Sequence, residues 1–423
     1  MLDIKYIREN KLELEEVAKH KNIKIDLDKL IKLDDKRKLY SQKVEELRSE
    51  KNQASKLIPT ISDPEKTAVL NKMKEVDEKQ TKLEAELAPI QAQFNEMMLQ
   101  VPMYVHPDTP IGIDETGNVE MKKVGEPRKF DFAIKDHVQL GKDLELFDIE
   151  RGVKIAGSRS YVLMGDGARL EQALLKYAQD FIARKEYKLM VVPVLVDRFA
   201  LEGTGFFPGS EDQTYEVTKD NKYLVGTSEV ALGAFHADEI LEEEELPKKY
   251  AGISTCFRRE AGTYGKDASG LYRVHQFNKI EQFVICKGDA EESQKMFDEL
   301  FNNVEEFLGS LNIPYRVLNI CTGDMGKSKY RMFDFECWMP SRDSYGETHS
   351  CSNLHDFQAR RLNLRYKDAD GKVKYCHTLN NTMVATPRIL IPLLELNQNE
   401  DGSITIPEVL RPYMDNQEKI VKK

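Results

Sequence analysis

Apolar side chains recur with a period of seven between residues 69 and 97. Val69, Val76, Leu83, Ile90 and Met97 form one series, and Met73, Leu87 and Phe94, with Gln80 as its polar member, form the series offset by four. A seven-residue period returns to the same side of an α-helix every two turns, so this is the seam of a coiled coil. Upstream, Leu33, Tyr40, Leu47 and Ala54 repeat the spacing, with Leu30, Val44 and Ile58 beside them. Between the two stretches, Ile58-Pro59-Thr60-Ile61-Ser62-Asp63-Pro64 breaks the pattern. Ser62 or Asp63 can cap a following helix, and Pro64 suits its first turn. The pattern predicts two antiparallel helices of roughly 30 residues, about 45 Å each, preceded by a short helix within residues 1–20.

Beyond Val101 the periodicity changes. Pro102, Pro107, Pro110, Gly112, Gly117, Gly125 and Pro127 predict a linker over 103–135, which divides a helical domain, 1–102, from a second domain, 136–423. The latter holds Leu146-Phe147-Asp148, Gly157-Ser158-Arg159 and a helix from Gly165-Asp166-Gly167 to about Lys185. Tyr187–Leu195 reads as a buried strand broken by Pro193, and Lys222–Gly226 as another strand. Tyr272–Phe277 and Lys279–Cys286 are rich in β-branched and aromatic residues. With Gly262, Gly265 and Gly270 among polar residues before them, they predict a long-looped hairpin. Leu379–Arg388 opens a last apolar helix that reaches Leu396.

A chain of 423 residues, 40% apolar and 32% charged, can bury a large core and divide into two domains. Its charged start and the lack of any long apolar window predict a soluble, cytoplasmic protein without a membrane span or secretory signal. Cys256, Cys286, Cys321, Cys337, Cys351 and Cys376 have no close-spaced partners, which predicts reduced thiols and no zinc site. The net charge of −10 argues against a general nucleic-acid binder. Between Asp28 and Lys56, however, nine basic residues face six acidic ones, a local +3.

Chemistry concentrates in the run from Phe257 to Phe283. Arg258 and Arg273 stand with Glu260, Glu281 and Phe277. Planar guanidiniums suit phosphate oxygens and an aromatic face suits a base, although a salt-bridged hairpin would use the same residues. Alternation places Arg273, Phe277 and Glu281 on one face of a strand. Thr227-Ser228-Glu229 offers an acceptor for a cationic amino group, or equally a capped helix start.

The whole run FRREAGTYGKDASGLYRVHQFNKIEQF resembles motif 2 of class II aminoacyl-tRNA synthetases, and within that class the seryl-tRNA synthetase family. Tyr187–Leu195 lies where motif 1 of that class forms a dimer interface, with Glu186 where the family often has glycine. Thr227-Ser228-Glu229 matches its T-x-E. Glu347-Thr348-His349-Ser350-Cys351-Ser352-Asn353 with Asp356-Phe357-Gln358-Ala359-Arg360-Arg361 resembles E-x-x-SCSN…DFQARR, and Leu379–Arg388 resembles motif 3.

The resemblance implies an α+β fold, in which helices flank an antiparallel class II sheet, with an N-terminal two-helix coiled-coil arm for serine tRNA. It implies a homodimer, with L-serine and ATP as substrates and Mg²⁺ as metal. For ATP it implies Arg258, Arg259, Glu260, Arg273, Val274, His275, Gln276, Phe277, Glu347, Thr348, His349, Ser350 and Arg388. Among these Arg258, Glu260 and Arg388 are catalytic, and Glu347 and Ser350 hold the metal. His349 stands at a variable family position as a neutral bystander. For serine the resemblance implies Thr227, Ser228, Glu229, Arg258, Glu281, Asn380 and Thr382.

Two departures stand out. Family Asn-Gly-Ser is Asn380-Asn381-Thr382 here, and family Gly-Arg-Asp-Thr-Arg-Gly-Leu is Gly265-Lys266-Asp267-Ala268-Ser269-Gly270-Leu271, which predicts altered contacts to the tRNA end. A paralogue that charges a carrier protein and an inactive coiled-coil adaptor are the alternative readings.

Overall fold

The computed structural model describes residues 1–262 and 270–422. The hairpin-loop departures at Lys266, Ala268 and Ser269 lie outside the described residues. The chain divides into two compact units, Leu2–Pro102 and Met103–Lys423, the latter including Met1.

In the first unit the expected short helix is two, Ile4–Glu9 and Lys11–His20, separated at Asn10. The arm helices are Leu27–Leu57 and Asp63–Gln100. Pro64 occupies the first turn of the second, and the Ser62 amide donates to the Glu65 carboxylate at 2.9 Å, closing a capping box. Val44, Val76 and Phe94 are buried in the seam. Arg48 reaches Glu84 at 2.7 Å and Lys72 reaches Glu50 at 2.6 Å across it. Lys29, Lys32, Lys36 and Lys43 remain exposed on the first arm helix.

Beside the seam, the buried Asp34 carboxylate meets Arg8 and Arg37 at 2.8 Å and Lys38 at 2.7 Å. Burial alone would push this carboxyl up, but the bonds from Lys38, Arg37 and Arg8 hold it down to about 2.

The second unit is built on an eight-stranded sheet. Its strands are β1 (Val119–Val124), β2 (Lys188–Val191), β3 (Lys248–Phe257), β4 (Gln276–Cys286), β5 (Tyr315–Asn319), β6 (Arg331–Met339), β7 (Ser344–His355) and β8 (His377–Thr386). Their spatial order is β1-β5-β6-β7-β8-β4-β3-β2, antiparallel except where β2 runs parallel to β3. Helix Ala290–Ser310 covers one face, its Phe297, Leu300, Val304 and Phe307 packing with Val284, Phe335 and Leu379. All six cysteines are buried free thiols.

Four local expectations change. Segment 103–135 is no free linker. Its Met103 and His106 amides donate to Lys327 and Tyr330 carbonyls at 2.8 and 2.9 Å, and it supplies edge strand β1. All six β1 side chains are exposed. Second, β2 is short and open, with Leu189 38% and Val191 85% exposed where a buried strand was expected. Third, β4 begins at Gln276 rather than Tyr272, so Arg273 lies in the loop before the strand. Fourth, residues 379–386 belong to strand β8, and the apolar helix is only Leu390–Leu396.

The preceding long helix, Gly165–Ala183, ends two residues short of Lys185. Glu186 then takes φ +66°, the left-handed conformation that glycine, common in the family here, adopts without strain.

Because its folded-state carboxyl is depressed, Asp34 contributes stability above its unfolded value and loses it as pH falls toward about 2. Asp34→Asn is expected to cost the helical unit about 1–2 kcal/mol at neutral pH. In thermal melts followed by circular dichroism, the difference from wild type should close as the pH falls from about 4 to about 2.

Candidate functional site

The sheet face opposite helix Ala290–Ser310 carries the site. On β4, regular against β3, the odd positions Phe277, Lys279 and Glu281 look to this face, while Gln282 bonds Asn303 of the helix. Two bulges decide what joins them. β8 pairs Thr382 with Glu281 but Val384 with Ile280, so Met383 is extra, and both Thr382 and Ala385 share the site face. β7 pairs Glu347 with Glu336 and His349 with Phe335, leaving Thr348 as the extra residue. Glu347 and Ser350, three apart and on opposite faces of a regular strand, are thereby brought to one face.

A pocket lies between the hairpin and β7–β8, lined by Arg258, Glu260, Arg273, Val274, Phe277, Glu347, Thr348, Thr382 and Arg388, with Tyr272 and Lys279. Arg258 lies over the Phe277 ring at 5.3 Å and donates to the Gly226 carbonyl at 3.4 Å. Glu260, with φ +50°, meets Arg273 at 3.2 Å. Arg388 is held from three sides. Its Nε donates to the Tyr272 carbonyl at 3.0 Å, its Nη1 reaches the Glu347 carboxylate at 3.2 Å, and it stacks on Tyr272 at 4.4 Å.

The loop that returns to β4 is anchored by His137. Its Nε2 accepts from the Leu271 amide at 3.3 Å, while Nδ1 donates to Glu395 at 3.0 Å. Gly270, at φ +91°, passes so close that a Cβ there would stand 2.5 Å from this ring.

Behind the pocket two acids are buried together. Asn380 Nδ2 donates to both Glu229 and Glu281 at 2.9 Å, and Gln358 donates to the other Glu229 oxygen at 2.8 Å. Burial pushes the Glu281 carboxyl up, and the Lys279 ammonium in contact with it opposes that shift. Lys279 also donates to Thr227 Oγ1 at 3.0 Å. Thr227 and Ser228 both lie at the start of helix Glu229–Ala234. Thr227 Oγ1 accepts from the Glu229 amide at 3.2 Å, whereas Ser228 donates to the Gly252 carbonyl at 3.3 Å.

Some expected residues lie elsewhere. His275 and Gln276 line a separate groove with Tyr161 and Tyr215, and the Arg259 amide donates to Gln213 at 3.0 Å outside the pocket. His349 faces the core, where its Nε2 donates to the Met383 carbonyl at 3.1 Å and burial lowers its pKa to about 3. It is a neutral packing residue. Sequence reasoning assigned nothing to Lys279, although it stands midway between Phe277 and Glu281 at the period of a strand. It gave no role to Gln358 either, although that residue stands within the DFQARR run.

Residues 1–105 match the Seryl-tRNA synthetase N-terminal domain, and residues 214–397 match the tRNA synthetase class II core domain (G, H, P, S and T). A serine–tRNA ligase of Deinococcus radiodurans is 44% identical over 99% of this chain and 98% of its own. The seryl-tRNA synthetase of Pyrococcus horikoshii, solved in complex with ATP, superposes with a TM-score of 0.89 at 36% identity over all of both chains. The cytoplasmic serine–tRNA ligase of Naegleria fowleri, in complex with AMP, gives 0.85 at 32% identity over 100% of this chain and 99% of that one.

Asn381, where the family has glycine, points away from the site and donates to the Leu300 carbonyl at 2.9 Å. Asn381→Gly is expected to lower thermal stability by about 1–3 kcal/mol while leaving nucleotide affinity unchanged, as calorimetry and ligand titration would show.

Proposed function

The chain belongs to the seryl-tRNA synthetases and, as one of them, activates serine with ATP and charges tRNA; we propose that the arginine-lined pocket and the buried acidic pair behind it divide that work. The observation that carries this reading is the continuity of the two. Lys279 lines the pocket and touches both Thr227 and Glu281.

In the proposed first step a serine carboxylate oxygen attacks the α-phosphorus of ATP, the bond to the bridging oxygen breaks, and pyrophosphate leaves. Arg258 neutralises the serine carboxylate and the α-phosphate, Phe277 offers its ring to adenine, and Glu260 takes the adenine edge. Arg273 and Arg388 hold the remaining phosphates. Positioning and charge neutralisation carry the step. Glu229 accepts the serine ammonium, and Glu281 with Thr382 receives the serine hydroxyl. A pocket built around that hydroxyl rejects alanine by up to about 10⁴-fold. In the second step the terminal ribose hydroxyl of the tRNA attacks the seryl carbonyl and AMP leaves.

Glu347 and Ser350 fit Mg²⁺, being hard oxygen donors on one face, with the Glu347 side chain 45% exposed. When bound, the ion neutralises triphosphate charge. Arg388, bonded to Glu347, holds that carboxylate at the rim.

For tRNA we propose backbone contacts from the exposed Lys29, Lys32, Lys36 and Lys43 of the arm, read by shape rather than base edges. The match of residues 1–105 to the family's own N-terminal domain speaks against the carrier-protein alternative, and the gathering of Arg258, Glu260, Glu347 and Arg388 in one pocket speaks against an inactive adaptor. The six buried free thiols suit a reducing compartment, which supports a cytoplasmic location.

Open strand β2, with Val191 85% exposed, supports a homodimer closed through this edge. Val191→Glu is expected to turn a dimer into a monomer in light scattering; a dimer unaffected by the change would refute the assignment. Serine-dependent ATP–pyrophosphate exchange tests the site itself. Exchange should occur with serine and not with alanine, threonine or glycine, and Glu281→Ala should reduce it at least about 100-fold. Full exchange by that variant would remove Glu281 from the serine pocket.

A further inference from the structure

Lys279 touches both halves of the site, yet the steps above give it no part. Its side chain is only 7% exposed. A buried ammonium is unfavourable unless it is paired, and here the pairing is specific: the Glu281 carboxylate on one side and Thr227 Oγ1 at 3.0 Å on the other. Thr227 in turn accepts the amide of Glu229 at 3.2 Å, so one ammonium links the acid assigned to the serine hydroxyl with the turn that presents the acid assigned to the serine ammonium.

The charge balance around Glu281 gives this link its consequence. Glu281 is wholly buried, and Glu229, sharing the Asn380 amide with it, adds like-charge repulsion. Lys329 lies 3.8 Å from Glu229. Three neighbours on adjoining strands bring no compensating charge, while Arg258 stands across the pocket over Phe277. Burial raises the thiols of Cys256 on β3 and Cys351 on β7, and it lowers His349 on β7 to about 3. Lys279, in contact with the Glu281 carboxylate, is thus a cation placed to offset the two buried carboxylates at Glu281 itself. A protonated Glu281 would offer its own hydroxyl as a donor and lose acceptor capacity where serine must donate.

We propose that Lys279 is a positioning residue for serine recognition, keeping Glu281 in the acceptor form that takes the serine hydroxyl and tying Thr227 to the same point. This deepens the serine assignment of Glu281 and rests on it.

The test compares full-length wild type, Lys279→Met, Lys279→Arg and Glu281→Gln in ATP–pyrophosphate exchange, with KM for serine and ATP measured at several pH values. Lys279→Met is expected to raise the serine KM roughly tenfold to a hundredfold while the ATP KM stays within about twofold. Without the ammonium, the Glu281 carboxyl rises further, so its ionised fraction is regained only at higher pH. The serine KM of Lys279→Met should therefore fall as pH is raised from about 6.5 to about 8.5, where wild type is flat. Lys279→Arg, which keeps the charge, should restore the flat profile.

Equal rises in the serine and ATP KM, or a raised serine KM without pH dependence, would mark Lys279 as merely structural and overturn the proposal, as would no change at all. Should Lys279→Met not fold, Lys279→Gln, which keeps a donor for Thr227 but not the charge, carries the same expectations. Glu281→Gln separates the two readings: wild-type serine KM and wild-type rejection of alanine by that variant would refute the Glu281 assignment itself, whatever Lys279 does.

Discussion

Two carboxylates, Glu229 and Glu281, are buried within reach of a single amide, and much of the catalytic unit is arranged to make that tolerable. Asn380 gives one hydrogen to each at 2.9 Å, Gln358 satisfies a further Glu229 oxygen at 2.8 Å, and Lys279 supplies the charge. Each partner comes from a different element: Asn380 from β8, Lys279 from β4 and Gln358 from the short helix Phe357–Arg361. Thr378 on β8 then donates to Gln358 at 2.8 Å, so even the support is supported. Such a network is costly when incomplete and specific when complete, which suits a pocket that must read one hydroxyl group.

The pocket in front of this network is shaped by irregularity in the sheet. Met383 and Thr348 are extra residues opposite regular partners. By shifting the alternation they bring Thr382 and Ala385, and Glu347 and Ser350, to a common face. The opposite face is largely apolar and is filled by helix Ala290–Ser310, to which its polar Gln282 and Asn381 are bonded. A sheet without bulges would have turned half of these polar groups into the core, where they would lack partners. The arm obeys a different rule. Its stability comes from a seam of apolar residues and from ion pairs such as Arg48–Glu84, and its exposed lysines are the ones proposed above to meet the tRNA backbone.

Departures from the family pattern sort by orientation. Asn381 replaces glycine without touching the pocket, because its position on β8 faces the helix and its amide finds the Leu300 carbonyl. Thr382, on the other face, retains a hydroxyl at the pocket wall. Glu186 accepts a left-handed backbone where glycine is unstrained. Neighbouring substitutions thus have unlike meanings, one structural and one chemical, set only by which way each side chain points.

The sequence by itself determined the coiled-coil arm, since a period of seven and a proline-marked reversal are local signals that need no partner to be read. It also determined the chemical inventory of the site, because arginines, acids and a ring gathered in one run can be recognised in any register. What it misjudged were open edges: β1 passed for linker amid the prolines and glycines around it, and the apolar run of β2 passed for a buried strand, because exposure at a sheet edge is not written in the sequence of the strand. Only the tertiary structure decided which inventory members meet. His349 was turned inward, His275 and Gln276 were sent to another groove, and Lys279 was set between the two acids. The physical reason is that facing depends on register and bulges, which are fixed by pairing between strands distant in sequence, and the balance of buried charge exists only once those strands have paired.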